Sequence, residues 1–252
     1  MQPADDLALR CDDLSVARKG VRVVEGITLR VAPGAAAAIM GPTGAGKSSL
    51  AALLAGADDA SLAVVGGTAW VTGIPVRAGA RARRRRAVAV GYLAQGAGAA
   101  LPARSTVAEV IGEPVTSRER RVNARALALR VATLLDELQL PLGIATRYPY
   151  ELSSGMRQRV ALARALVLEP ALFVGDDPYA NLDVEVRRAA RDALLRRRDD
   201  HGMGILVVTN DLDAIRELDA DVLVLRGGHP VAAGHGTAGL VWTPDGGAPL
   251  AS

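Results

Sequence analysis

The sequence predicts an α/β domain built on a mostly parallel sheet, and three observations carry that prediction. Short apolar runs of buried-strand type, "AAAAIM" (35–40), "ALFVGD" (171–176) and "GILVVTN" (204–210), alternate with stretches of helical spacing. A glycine-rich turn joins the first of these strands directly to a helix. The 252 residues are half hydrophobic, enough to bury one large core.

Taken in order, "VRVVEGITLRV" (21–31) alternates at Ile27, Leu29 and Val31, as a half-buried strand does. "APG" turns the chain into "AAAAIM", and "KSSLAALLAG" opens a helix after the glycine-rich loop. Residues 62–95 hold short Val-rich stretches broken by Gly and Pro, ending in the strand-like "AVAVGYLAQ". From about 97 the pattern turns helical. Thr106 and Glu109 stand at capping-box spacing, and "ARALALRVATLLDELQL" (124–140) ends at Pro141 and Gly143. A further helix starts near Ser153 and stops before Pro170, so a helical insert is expected at about 97–160. "DVEVRRAARDALLRRR" is a helix between two strands, and "DVLVLRGGHPVAAG" (221–234) a hairpin around Gly227–Gly228. One domain over 1–240 with a flexible tail at 241–252 is the expectation.

Composition narrows the class. One Phe, two Trp and four Tyr leave the core to Ala, Val and Leu, with few rings for stacking bases. The single Cys11 excludes an internal disulfide framework and a multi-cysteine metal site. "MQPADDLALR" is acidic without an apolar stretch and is not expected to be a signal peptide. No run reaches the ~18 apolar residues of a membrane span. Net charge is +3, with one dense cluster, "RARRRR" (81–86), expected as a solvated loop or a subunit-facing surface; no nucleic acid is expected as a partner. Only Lys19 and Lys47 are lysines, against 28 arginines. A lysine surviving in such a chain points to a place the bulkier guanidinium cannot take.

Lys47 lies in "GPTGAGKS", Gly41 to Ser48, which fits the pattern G-x-x-x-x-G-K-S/T between strand and helix. In such a P-loop the glycines (Gly41, Gly44, Gly46) let backbone amides face phosphate oxygens, with Pro42, Thr43, Ala45 and Ser49 completing the cradle. Lys47 reaches the outer phosphates and Ser48 offers its hydroxyl to Mg²⁺. Asp176, at the end of "ALFV", is the candidate second acid of the Mg²⁺ shell. Those motifs leave GTPases, kinases and cassettes open; "TNDLD" (209–213) lacks the Lys of a guanine reader.

"YPYELSSGMRQRVALARAL" (148–166) closely resembles the signature segment of the ATP-binding cassette (ABC) family, whose core reads L-S-G-G-Q. Gln95, the Asp176–Asp177 pair and "NLD" (181–183) match in the family's order, and the resemblance runs from about residue 7 to 236. It implies a P-loop NTPase (RecA-like) core with an antiparallel β subdomain and the helical insert. "QGAGAALPARSTVAEVIGEPV" (95–115) is similar to subunits of dipeptide, oligopeptide and nickel importers. The resemblance implies an ATPase using ATP and Mg²⁺, peripheral on the cytoplasmic face of the cell membrane. Implied partners are a second cassette subunit, two transmembrane permease chains and an extracellular substrate-binding protein. Two cassettes would pair head to tail, with Ser153, Ser154 and Gly155 of one meeting the nucleotide of the other. Gln95 would join the Mg²⁺ and the attacking water, and Asp183 would contact the opposite subunit.

Departures from the family concern turnover. Asp177 stands where the family has the Glu that orients water, and Asn210 where it has a switch His. The adenine-stacking aromatic is absent, with Arg18 near its place. Ser154 replaces the first Gly of the signature pair, and Met156 its Gln. The half-site this chain owns is altered while the half it lends is nearly intact, which favours pairing with a different, complete cassette. A homodimer, a non-hydrolysing regulatory subunit and a soluble cassette stay open at this point.

Overall fold

The computed structural model describes residues 7–118, 121–180 and 182–243. Its centre is a seven-stranded sheet. In chain order the strands are β3 (Ala36–Met40), β6 (Val90–Leu93), β7 (Leu172–Asp176), β8 (Gly204–Val208), β9 (Asp221–Arg226), β10 (His229–His235) and β11 (Val241–Trp242). Their spatial order is β11-β10-β9-β3-β8-β7-β6, parallel from β9 to β6 and antiparallel at β10 and β11. A second, antiparallel sheet runs β2-β1-β4-β5, from β1 (Leu9–Arg18), β2 (Val21–Val31), β4 (Leu62–Val71) and β5 (Ile74–Pro75).

Period-two side chains decide what covers the central sheet. Ala36 and Ala38, Phe173, and Ile205 and Val207 face one hydrophobic cluster, shared with α3 (Val107–Thr116), α4 (Ala124–Glu137) and α5 (Ser154–Leu166). Ala37 and Ile39, Leu172 and Val174, and Leu206 and Val208 face the other, closed by α1 (Lys47–Ala55) and the antiparallel sheet. Both faces are buried, so these strands read as unbroken apolar runs. With a single Phe in the chain, Phe173 is the largest fully buried side chain, and Gly175 is kept bare by it: a Cβ there would lie 2.7 Å from the Phe173 ring.

The helical layer follows its caps. Thr106 accepts from the Glu109 amide at 3.3 Å while the Glu109 carboxylate accepts from the Thr106 amide at 2.7 Å. Ser153 caps α5 through the Met156 amide at 3.2 Å. The β9–β10 hairpin turns at Gly227 and Gly228 with φ of 56° and 86°, the pair of positive angles a two-residue turn needs.

Three expectations need correction. "AVAVGYLAQ" is not one strand: α2 (Ala80–Ala89) runs through its first three residues and β6 begins only at Val90. The basic run is that helix rather than a loop, because buried Arg86 pins it to the carbonyls of Pro75, Val76 and Leu53. The tail expected to be loose from 241 is paired at its first three residues. Val241 and Trp242 pair with Ala233 and Ala232, and both the Thr243 amide and hydroxyl donate to the Val231 carbonyl; residues 244–252 lie outside the described residues.

One polar residue ties the layers together. Gln158 is buried in α5, accepting from the Gly98 amide at 3.3 Å and donating to the Pro178 carbonyl at 3.4 Å. Gly98 is held so close that a Cβ there would lie 2.7 Å from the Gln158 nitrogen. Gln158→Leu keeps the volume and orphans both partners, so a loss of about 2 kcal/mol is expected. Thermal melting tests it; an unchanged midpoint would show that the two long bonds contribute nothing.

Candidate functional site

Parallel strands deliver their carboxyl ends to one edge of the sheet, and the register there sets the site. Ile39 and Asp176 both lie opposite Val208 in their neighbouring strands, and Leu93 lies opposite Gly175. The loops after β3, β7 and β8 therefore bring Gly41–Ser48, Asp176–Asp177 and Asn210 together, with the loop after β6 at the same edge.

The glycine-rich loop is shaped by its surroundings. Gly41 has φ 140° and a Cβ on it would lie 2.1 Å from the Leu225 carbonyl oxygen. Gly46, φ 87°, would bring a Cβ within 2.3 Å of the Val23 oxygen on β2. Gly44, φ 84°, faces open space, with no atom within 4 Å of an added Cβ. The Lys47 ammonium folds back over this loop, donating to the carbonyls of Gly41 and Pro42 at 2.8 and 2.9 Å. Pro42 and Thr43 are exposed, Ala45 and Ser49 buried, and Ser48 is exposed, with its hydroxyl near enough to Asp176 to influence its titration.

Asp176 is buried, and burial pushes its carboxyl up; the Ser48 hydroxyl opposes that shift, Asp177 adds to it and Lys47 opposes it. A carboxylate and a hydroxyl at the open end of an amide-lined loop, with an ammonium above, are hard oxygen donors suited to a Mg²⁺–phosphate group. Asp177 is half-buried, at φ 50°, and its amide donates to the Val208 carbonyl at 2.9 Å. Aspartate enters that left-handed region at lower cost than a longer side chain.

Asn210 makes a two-point bond to the P-loop. Its Oδ1 accepts from the Gly41 amide at 2.9 Å and its Nδ2 donates to the Gly41 carbonyl at 3.0 Å. The amide orientation follows from chemistry, since the Gly41 N–H can only donate. The Gly41 carbonyl thus takes donors from both Asn210 and Lys47.

The other expected residues lie apart from this cluster or on its rim. Gln95 is exposed on the turn after β6. Arg18, at the end of β1, is engaged by Asp59 at 3.2 Å, which in turn holds Ser61; Val16 of the same strand pairs with Val24, beside which Gly46 packs. Ser153 and Ser154 are exposed at the α5 N-terminus with Gly155 half-buried behind them, where helix amides point outward. Asp183 is the N-cap of α6 (Val184–His201), accepting from the Val186 amide at 3.0 Å; Asn181 lies outside the described residues. Sequence reasoning missed Gln158. Its signal was present, because Gln158, Leu162 and Leu166 stand four apart on one helical face that is otherwise apolar.

Comparison with known proteins adds identity to this geometry. The profile of the family described as ABC transporter matches residues 24–180. The chain is 30% identical over 218 residues to the oligopeptide transport ATP-binding protein OppF of Escherichia coli K12, covering 86% of this chain and 64% of that one. It is 33% identical over 213 residues to the nickel import ATP-binding protein NikE of Brucella suis biovar 1, covering 83% and 77%. The chain therefore spans just under two thirds of the length of the oligopeptide relative. Its fold matches the ATP-binding cassette MJ0796, solved as a dimer in a post-hydrolysis state with ADP and Pi, with TM-score 0.81 at 22% identity, over 90% of this chain and 98% of that one. The fold is thus an α/β P-loop cassette with its antiparallel sheet, and the chain belongs to the ABC transporter family.

Proposed function

We propose that this chain is the ATP-binding subunit of an importer of peptide-type solutes, working on separate permease chains at the cytoplasmic face of the membrane. Supporting observations are the names of its relatives, the charged loop at the carboxyl edge of the sheet, and the lack of any described helix long and apolar enough to cross a membrane. Bound Mg²⁺–ATP would supply an outer phosphate neutralised for in-line attack by water. Lys47 and the loop amides would hold the phosphates, Ser48 and Asp176 with Gln95 would face the metal, and Arg18 would lie under the base. Asp177 would accept a hydrogen bond from the attacking water. Ser153, Ser154 and Gly155 would present their helix end to the nucleotide of a second cassette, with Asp183 at the same contact.

The observation that carries the finer reading is the asymmetry between the two halves. The own half-site has a short carboxylate at 177 and an Asn210 amide already engaged by Gly41. The lent half is an exposed, capped helix end. We therefore infer a heterodimer in which the partner cassette carries most turnover and this P-loop holds ATP with slow or no hydrolysis. Single-turnover assays on a mixed dimer, with one P-loop lysine removed at a time, test this. Turnover is expected to survive loss of Lys47 far better than loss of the partner's lysine; equal losses would refute the asymmetry.

A further inference from the structure

Neither the P-loop nor the signature helix uses the arginines of α2, and taken alone α2 is a poorly adapted helix. Its first turn carries arginine and no acid, against the positive end of the helix dipole. Crowding like charges along one helix destabilises it further. Burial of Arg86 explains how it persists. The guanidinium donates to the carbonyls of Pro75 and Val76 at 3.3 and 3.2 Å and reaches that of Leu53 at 3.5 Å. With that side chain drawn inward, Arg81, Arg83, Arg84 and Arg85 remain exposed.

Among the described residues, only Arg83 of these four meets a carboxylate, Asp58 at 3.3 Å, and that aspartate is itself 90% exposed. Arg118, following α3, adds another cation beside them by donating to the Ala87 carbonyl at 3.4 Å. The exposed face of α2 carries no ring, and Val88 is its one exposed large apolar side chain.

We propose that α2 with Arg118 is an electrostatic docking face for the phosphate headgroups of an anionic bilayer leaflet. The proposal rests on the membrane-apposed reading given above, and charge complementarity selects the occupant. Guanidinium forks match phosphate oxygens in pairs. Without aromatic side chains the face lacks the stacking that single-stranded nucleic acid uses. With Val88 as its one exposed large apolar side chain it has too little to insert into hydrocarbon, so attachment is a surface contact, lost as salt screens it.

The test is co-sedimentation of the full chain with phosphatidylglycerol-rich vesicles and with purely zwitterionic ones, at low and high salt. Wild type is expected on the anionic vesicles alone, released by salt. Arg81→Gln/Arg84→Gln/Arg85→Gln, which leaves Arg86 in place, is expected to bind about fivefold more weakly per arginine removed, roughly a hundredfold in all. The matching triple Lys variant is expected to retain most of the binding, which separates charge from folding. Equal binding to both vesicle types, a Gln variant that binds like wild type, or an RNA oligonucleotide bound more tightly than the anionic vesicles would each overturn the proposal. ATP affinity, measured on the same samples, is expected to be equal in all three proteins. Vesicle binding by a wild-type chain that fails to bind ATP would overturn the proposed ATP-binding role and leave the docking face standing.

Discussion

Asp177→Glu is expected to raise Mg-ATP turnover by up to about a hundredfold, the scale on which a displacement near 1 Å of a catalytic group is felt. The added methylene moves the carboxylate outward from a backbone that the Asp177 amide fixes to Val208. Against the gain stands the positive φ of 50° at this position, which a glutamate adopts less readily. Adding Asn210→His should then act on binding more than on rate. An imidazole cannot both donate to and accept from the single Gly41 peptide, so the two-point bond is broken. Losing about 1 kcal/mol of neutral hydrogen bonding corresponds to roughly a fivefold rise in KM. Steady-state kcat and KM of wild type, single and double variants separate the two effects. A wild type that already turns over as fast as the Glu variant would show that Asp177 suffices, and the inferred asymmetry would fall with it.

Lys47→Arg, which keeps the charge, is expected to be nearly as damaging as Lys47→Ala. The ammonium sits within 2.9 Å of two loop carbonyls, in a fold that a planar, wider guanidinium does not fit. Charge-assisted hydrogen bonds of this kind are worth up to about 3 kcal/mol, so either variant should weaken Mg-ATP binding by roughly a hundredfold. Calorimetric titration of the two variants checks it. An Arg variant that binds like wild type would mean the lysine was retained for charge alone, and that the chain's preference for arginine elsewhere carries no information about this site.

Much of this site was legible before the fold was known, and for a physical reason. A phosphate loop is local: strand, glycines, lysine and helix follow one another within about fifteen residues, and each residue type is demanded by backbone angle or charge. The carboxyl ends of "ALFVGD" and "GILVVTN" were equally readable, because strands buried on both faces must be apolar along their length. Asp183 and Ser153 were visible by family resemblance, although the contacts they make here are helix caps.

What the residues by themselves determined was the class of fold, the phosphate-binding loop and the acids that could stand near it, since these depend on short-range pattern and chemistry. Only the tertiary structure decided how those pieces are used. Pairing of β3 and β7 with β8 brings Asn210 to Gly41, 169 positions away in the chain, in a two-point bond that holds the loop. Packing of α2 against the end of α1 buries Arg86 and leaves its neighbours outside, so a run that reads as uniform charge divides into one anchor and an exposed face. Gln158 likewise gained its role from two partners, 60 and 20 positions distant. Such assignments depend on which polar groups meet across the core, and no local pattern contains that information.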